Sequence, residues 1–298
     1  MITQVGLEEQ IKNVIGMARA YNEESKGKID SLESLHSHYV CSLNKIQHCQ
    51  LDGVYGKTNI VSNFEEAKNF CDVMSRDALT MLDDKDQSGV INLEYDSEAQ
   101  AKAELLAKAR DCLQILSADH YTLFSLLITD IFLMPSGNAR GGSTSTAIGV
   151  IWANPKLKYK ITDIVEFLVH EMTHHAMFID EHRYGHFDYS VVLNESTWAT
   201  SAILKHQWPL DKVIHSLVVA MEIIGFRENF LGHPACPLVH APTPQLITQV
   251  AKSLETVDEK IMELEKSGMA PVSDRAKQLL AGIKNGIENN ALQKFRAA

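Results

Sequence analysis

The chain has 298 residues, 45% of them hydrophobic and 22% charged, which is typical of a globular protein with a sizeable core. Its formal net charge of -10 argues against nucleic acid or an anionic membrane as the main partner. We expect a cytoplasmic protein with reduced cysteines, because neither a secretory signal nor an apolar run long enough to span a membrane is evident.

The first half of the chain changes character near residue 134. Residues 1–128 carry apolar side chains at helical spacing and little Gly or Pro, so a mainly helical region is predicted. Residues 134–142, MPSGNARGG, are typical of a loop. Residues 143–152 are rich in β-branched side chains and predict one or two short strands.

The second half of the chain predicts further helices from the same apolar spacing. The clearest one has Thr162 as its N-cap. The predicted helices cover residues 162–180, about 195–206, about 210–227, and two charged amphipathic stretches within about 244–297 that are separated at residues 267–271.

The clearest motif is His170-Glu171-Met172-Thr173-His174, which lies inside the apolar helix. Histidines four residues apart share one helix face, with Cβ atoms about 5–6 Å apart, so both imidazoles can reach one ion at about 2.0–2.1 Å. We therefore predict a mononuclear metal site held by His170 and His174. Glu171, beside the first ligand, is the predicted catalytic group. The alternative is a pair of buried histidines without a metal.

Two residues are candidates for the third metal ligand. Glu195 follows Asn194 at the start of a predicted helix, with 20 residues between it and His174. His215 lies on the following predicted helix. The alternatives are a first-turn carboxylate favoured by the helix dipole for Glu195 and an ordinary helix-face histidine for His215. The sequence leaves both candidates open.

Residues 170–195 resemble the gluzincin metallopeptidases, in which an Asn-Glu pair on the next long helix supplies a carboxylate ligand. The resemblance implies a zincin-like core and Zn(II) on His170, His174 and Glu195. It also implies that Glu171 acts as general base in peptide-bond hydrolysis. An extended substrate would then pair with the strand around residues 150–152.

A longer stretch, about residues 143–224, resembles the HExxH-type peptide β-hydroxylases. The similarity lies in Gly-Val-Ile-Trp-Ala-Asn-Pro at 149–155, Leu-Val-His-Glu at 168–171 and Leu-Lys-His-Gln-Trp-Pro-Leu-Asp-Lys-Val-Ile-His at 204–215. The resemblance implies Fe(II), 2-oxoglutarate as cosubstrate, and hydroxylation of a side-chain β-carbon in a ribosomally made peptide. His215 or Glu195 would complete the iron site.

A 2-oxoglutarate enzyme needs open positions on the metal and a cation for the distal carboxylate. An Arg is expected near the Trp-Pro-Leu stretch, but Lys205, Gln207 and Trp208 stand there. Other basic and hydroxyl side chains could serve instead. The candidates for cosubstrate binding are Lys205, Arg140, Arg183, Lys212, Ser143, Thr144 and Ser145.

We expect an α+β fold, mainly α, with a helical platform and a small β-sheet beside the motif helix. Residues 1–128 would form a helical region, 129–240 the metal-binding core and 241–298 the C-terminal helices, together as one compact unit. The favoured function is Fe(II)/2-oxoglutarate-dependent hydroxylation of a peptide, with a precursor peptide as candidate partner. A zinc metallopeptidase is the alternative, and a non-catalytic binding protein with a vestigial motif is a third possibility.

Overall fold

The computed structural model describes residues 2–21, 29–74, 90–203 and 206–288. The chain divides into two compact units. The N-terminal unit is Leu7–Ile179, and the C-terminal unit is Met1–Gly6 together with Asp180–Ala298. The divisions fall after residues 6 and 179, whereas the sequence predicted one compact unit with internal boundaries after residues 128 and 240.

The fold is α+β and mainly helical, as predicted. The predicted helical region up to residue 128 is confirmed over its described residues, which also contain a short strand that the sequence did not indicate. The elements of this region are α1 (Ile2–Tyr21), α2 (Leu32–Ile46), β1 (Asn59–Val61), α3 (Phe64–Met74), α4 (Ala99–Leu116) and α5 (Ala118–Leu127).

A small mixed sheet follows α5. It adds β2 (Asp130–Leu133), β3 (Gly141–Gly142) and β4 (Val150–Ala153) to β1, in the order β1-β2-β4-β3. Strands β1, β2 and β4 are parallel, and β3 is antiparallel to β4. All residues of β2 and β4 are buried, which explains their almost continuous apolar sequence.

The predicted strand at residues 143–152 is confirmed only at its end, because residues 143–149 form turns before β4 begins. Strand β4 pairs with β2 on one side and with β3, at Trp152 and Ala153, on the other. It is therefore an internal strand. On the β3 side the pairing covers only Trp152 and Ala153, so the expectation that an extended substrate pairs with residues 150–152 stays a prediction.

The motif lies on α6 (Ile161–Tyr184), which confirms the predicted helix. The helix begins one residue before Thr162, so the prediction of Thr162 as N-cap is wrong. The amide of Asp163 donates to the Lys160 carbonyl, and the Lys160 amide donates to the Asp163 carboxylate at 3.0 Å. Asp163 thus satisfies a backbone donor at the start of the helix, where a negative charge is also favoured by the helix dipole.

Helix α6 is buried on all its faces over most of its length. From Asp163 to Asp180 every residue is buried except His170, which is half-buried. The buried set includes polar side chains, and burying these is costly unless they bond to partners. Thr173 satisfies its hydroxyl within the helix by donating to the Val169 carbonyl at 2.7 Å.

The prediction of a helix at 195–206 is wrong. The chain forms the short α7 (Tyr189–Val192), a single 3-10 turn (Glu195–Thr197) and a hairpin of β5 (Ala199–Thr200) and β6 (Gln207–Trp208). Asn194 caps only the single turn, since its side chain accepts from the Ser196 amide. The chain leaves helical geometry at Trp198, and the amide and carbonyl of Thr200 bond to side chains of a later helix.

The remaining predicted helices are confirmed in the C-terminal unit. They are α8 (Leu210–Phe226), α9 (Thr243–Lys266) and α10 (Asp274–Glu288). A π-helical turn, Arg227–Leu231, follows α8, and the predicted break separates α9 from α10. Among the helices within the described ranges, none is long and apolar enough to cross a membrane.

Candidate metal site

The two histidines of the motif lie together on α6. The Nε2 atoms of His170 and His174 are 3.2 Å apart, and their ring centroids are 4.9 Å apart. The His170 side chain keeps 15% of its surface accessible, while His174 is buried. Phe178, one turn further along, stacks on the His174 ring and restricts its rotation.

This geometry fits two ligands of one ion. Nitrogen ligands at about 2.0–2.1 Å from an ion lie roughly 2.8–3.4 Å apart when the angle between them is between a right angle and the tetrahedral angle. The observed 3.2 Å falls in this range. The same separation also suits a hydrogen bond between two neutral imidazoles that share one proton. A metal-binding measurement separates these two interpretations.

Glu171 is buried beside the histidine pair and is held by a hydroxyl group. Its Oε1 atom lies 3.9 Å from Nε2 of His170, and its Oε2 atom accepts a 2.7 Å hydrogen bond from the hydroxyl of Ser143. Both side chains are almost fully buried. The two carboxylate oxygens therefore have different surroundings. Oε2 bonds to Ser143, and Oε1 lies near His170, the candidate ligand.

Ser143 reaches Glu171 because the backbone before it comes very close to α6. At Gly141, with φ of +158°, an added Cβ would lie 2.5 Å from the Phe167 ring and 2.4 Å from the Trp152 carbonyl oxygen. Only glycine fits there without movement of a backbone group or an aromatic ring. The Gly141–Gly142 strand thus allows the following serine to sit against the motif.

The loop that carries Ser143 is fastened at both ends. Asn154 donates to the carbonyls of Ser136 and Ala139, both at 3.0 Å. At the other end, the Gln47 amide accepts from the Ile148 amide at 2.9 Å and donates to the Ile148 carbonyl at 3.0 Å. Ser143 is therefore held in place by the loop rather than by its bond to Glu171 alone.

His175 faces away from the pair, as its position on the helix predicts. Its Nδ1 atom accepts from the Gly149 amide at 3.1 Å, so the ring proton lies on Nε2, which is buried without a hydrogen-bond partner in the described part of the chain. Burial, together with the neighbouring His174, lowers the pKa of His175 to about 3. This ring stays neutral and joins α6 to the turn before β4.

The structure distinguishes the two candidates for the third ligand by their surroundings. Glu195 lies in the exposed 3-10 turn rather than on a long helix. His215 is buried on α8, with its ring centroid 6.3 Å from that of Phe187. Over the described ranges, no group of three or more His, Cys, Asp or Glu side chains has the arrangement of a metal site. The third ligand stays a prediction.

The candidates for binding a 2-oxo acid have different surroundings. Arg140 is exposed, and its Nε donates to the Tyr159 hydroxyl at 2.9 Å. Ser143 bonds to Glu171 instead, and Ser145 is half-buried on the same loop. Lys205 lies outside the described residues. The structure brings together His170, His174, Glu171 and Ser143.

The sequence did not indicate that Ser143 is a partner of Glu171 or that Gln47 fastens the loop. These contacts join residues that are 28 and 101 positions apart. Neither pair has a periodic or short-range sequence signal, so only the fold could reveal them. No protein-family model and no curated protein matches this chain.

Proposed function

We propose that this protein is a mononuclear metalloenzyme that uses Fe(II) and 2-oxoglutarate to hydroxylate a side-chain β-carbon of a peptide. The observation that carries the metal site is the 3.2 Å separation of the His170 and His174 Nε2 atoms on a buried helix. The choice of Fe(II) and 2-oxoglutarate rests on the resemblance of residues 143–224 to the peptide β-hydroxylases.

His170 and His174 would hold the metal through neutral imidazoles, and His215 or Glu195 is the third ligand that the sequence predicts. Bound Fe(II) and 2-oxoglutarate would supply the oxidising power for C–H hydroxylation. Three protein ligands leave positions open for the cosubstrate and O₂, as in other non-haem iron oxygenases. A neutral ring binds through a lone pair, so the other nitrogen of each ring keeps its proton.

His215 is favoured over Glu195 because of its surroundings. The gluzincin pattern needs a carboxylate on the next long helix, but Glu195 lies in an exposed single turn. The next long helix is α8, which carries the buried His215. A buried imidazole suits a ligand better than a solvated carboxylate, whose hydration must be lost when it binds a metal.

Glu171 would orient the substrate in this reaction. Ser143 donates to Oε2 of this carboxylate, and Oε1 lies 3.9 Å from the Nε2 atom of His170. A peptide amide is a suitable donor to such an oxygen. Glu171 would thereby place the reacting side chain without itself abstracting hydrogen from carbon.

A zinc metallopeptidase is the second candidate, and one observation favours it. The Glu171 carboxylate is buried, with an oxygen 3.9 Å from the first candidate ligand, as a general base for water would require. In this reading Glu171 takes a proton from the attacking water and passes it to the leaving amine. The exposed position of Glu195 weakens this candidate.

The partner that follows from the proposal is a ribosomally made peptide that meets the enzyme in the cytoplasm. The net charge of -10 is compatible with a basic peptide segment. The identity of the modified residue would come from mass spectrometry of peptides after turnover.

The test is anaerobic reconstitution with Fe(II), followed by 2-oxoglutarate and O₂, with succinate as the measured product. We expect succinate from the Fe(II) form, none above background from a Zn(II) form, and a loss of at least about 100-fold in His170→Ala because a ligand is removed. His48→Ala, at an exposed histidine of the same unit, is the matched control and should retain the wild-type rate.

Binding of 2-oxoglutarate to the Fe(II) form should be measured as well, since turnover without the peptide can be slow. Absence of both binding and succinate would overturn the proposed hydroxylase. Peptide hydrolysis by the Zn(II) form that is lost in Glu171→Gln would then establish the peptidase.

A further inference from the structure

Glu171 is a potential metal ligand that must be kept from binding if the proposed site is to work. Carboxylate oxygens bind zinc and iron as readily as imidazoles do, at about 2.0–2.2 Å. Glu171 follows His170 directly, and its Oε1 lies 3.9 Å from the Nε2 atom of that histidine. A rotation of this side chain towards the metal would fill a position that cosubstrate or water needs.

We propose that Ser143 is a positioning residue that keeps Glu171 out of the metal coordination sphere and decides which of its oxygens faces the His170–His174 pair. The proposal rests on the metal site inferred above. The hydroxyl of Ser143 donates to Oε2 at 2.7 Å, a short bond to a carboxylate with both side chains buried. Charge-assisted bonds of this kind are stronger than bonds between neutral groups.

The loop gives this bond its restraining effect. A serine on a mobile loop could move with the Glu171 side chain when that side chain rotates, whereas the loop holds Ser143 in place. On the N-terminal side of Ser143, the backbone at Gly141 packs closely against the Phe167 ring. On its C-terminal side, the Gln47 side chain makes two hydrogen bonds to the backbone of Ile148. The hydroxyl therefore acts as an anchored donor, and Glu171 loses its bond if it turns towards the metal.

The test uses the full-length chain loaded with Co(II), whose visible absorption reports coordination number. In Ser143→Ala the carboxylate lacks this hydrogen bond and should join the metal, so the absorption intensity falls and Co(II) affinity rises about tenfold, a typical size for effects of residues next to ligands. Ser143→Thr keeps the hydroxyl and should restore the wild-type spectrum. Ser62→Ala, which removes a hydroxyl that bonds to Gln100 elsewhere in the same unit, should change neither quantity.

A double-mutant cycle makes the result specific to Glu171. In a Glu171→Gln background the side chain is a much weaker ligand, so Ser143→Ala should change Co(II) affinity by less than about twofold. An equal effect of Ser143→Ala in both backgrounds, or an unchanged spectrum in the single variant, would overturn the proposal. Wild-type protein that binds no Co(II) would instead overturn the metal site and this proposal together.

Discussion

If His215 is the third ligand, as proposed, its replacement by alanine is expected to weaken metal binding by at least about 100-fold, because one of three protein ligands would be lost. Glu195→Ala should change the affinity by less than about twofold, since Glu195 lies exposed on a single 3-10 turn. Affinity should be measured by competition with a chromophoric chelator, using Fe(II) without oxygen and Zn(II) in parallel.

The reverse result would be equally informative. Loss of affinity in Glu195→Ala, with His215→Ala unchanged, would place the carboxylate in the site and shift the assignment to a zinc peptidase. Thermal unfolding of both variants serves as control. His215 is buried and lies next to Phe187, so a lower melting temperature alone would show a packing defect rather than loss of a ligand.

Removal of Arg275 should have the largest effect on stability. The guanidinium of Arg275 donates to both oxygens of Asp180, at 2.9 and 2.6 Å, and His186 bonds to the same carboxylate at 2.7 Å. Asp180 is fully buried. Arg275→Ala would leave this charge without its main partner, so we expect the free energy of unfolding to fall by about 3–5 kcal/mol.

Urea unfolding followed by circular dichroism measures this change. Lys277→Ala is the matched control, since Lys277 lies on the same helix in an exposed pair with Glu265 and should contribute less than about 1 kcal/mol. Equal unfolding midpoints for Arg275→Ala and the wild type would show that the buried pair makes no net contribution.

The carboxylate of Asp180 also makes the stability of the protein depend on pH. Burial alone would raise the pKa of Asp180, but the bonds from Arg275 and His186 outweigh it and lower the pKa from 3.8 to about 2. A lowered carboxyl pKa contributes stability that is present above pH 3.8 and lost as the pH falls through 2. As the pH falls between these values, the free energy of unfolding of the wild type should decrease by about 2 kcal/mol more than that of Arg275→Ala.

The long helices could be predicted because each has apolar side chains in a pattern that is visible over ten or more residues. Helix α6 and helix α8 were located this way to within a few residues. The motif on α6 also fixed the relation between His170 and His174, because spacing along one helix determines which side chains meet. Local sequence was sufficient for both results.

The short strands and the hairpin could not be predicted in the same way. Strand β1 is only three residues long and exists because it pairs with β2 about 70 positions later. At residues 195–206 the sequence predicted a helix, but Ser253 and Thr256 of α9 bond to the Thr200 backbone and favour an extended chain there. Tertiary partners outweighed local propensity in both cases.

The burial of α6 has a consequence for how much sequence change the helix can accept. A helix on a protein surface accepts substitutions on its outer face, so tolerated positions recur about every 3.6 residues. From Asp163 to Asp180 this helix has no outer face, and only His170 retains partial exposure. A complete substitution scan would therefore give an unbroken run of intolerant positions, and the tolerant ones would resume at the helix end, residues 182–184. The motif is embedded in a segment that can vary only together with the side chains packed around it.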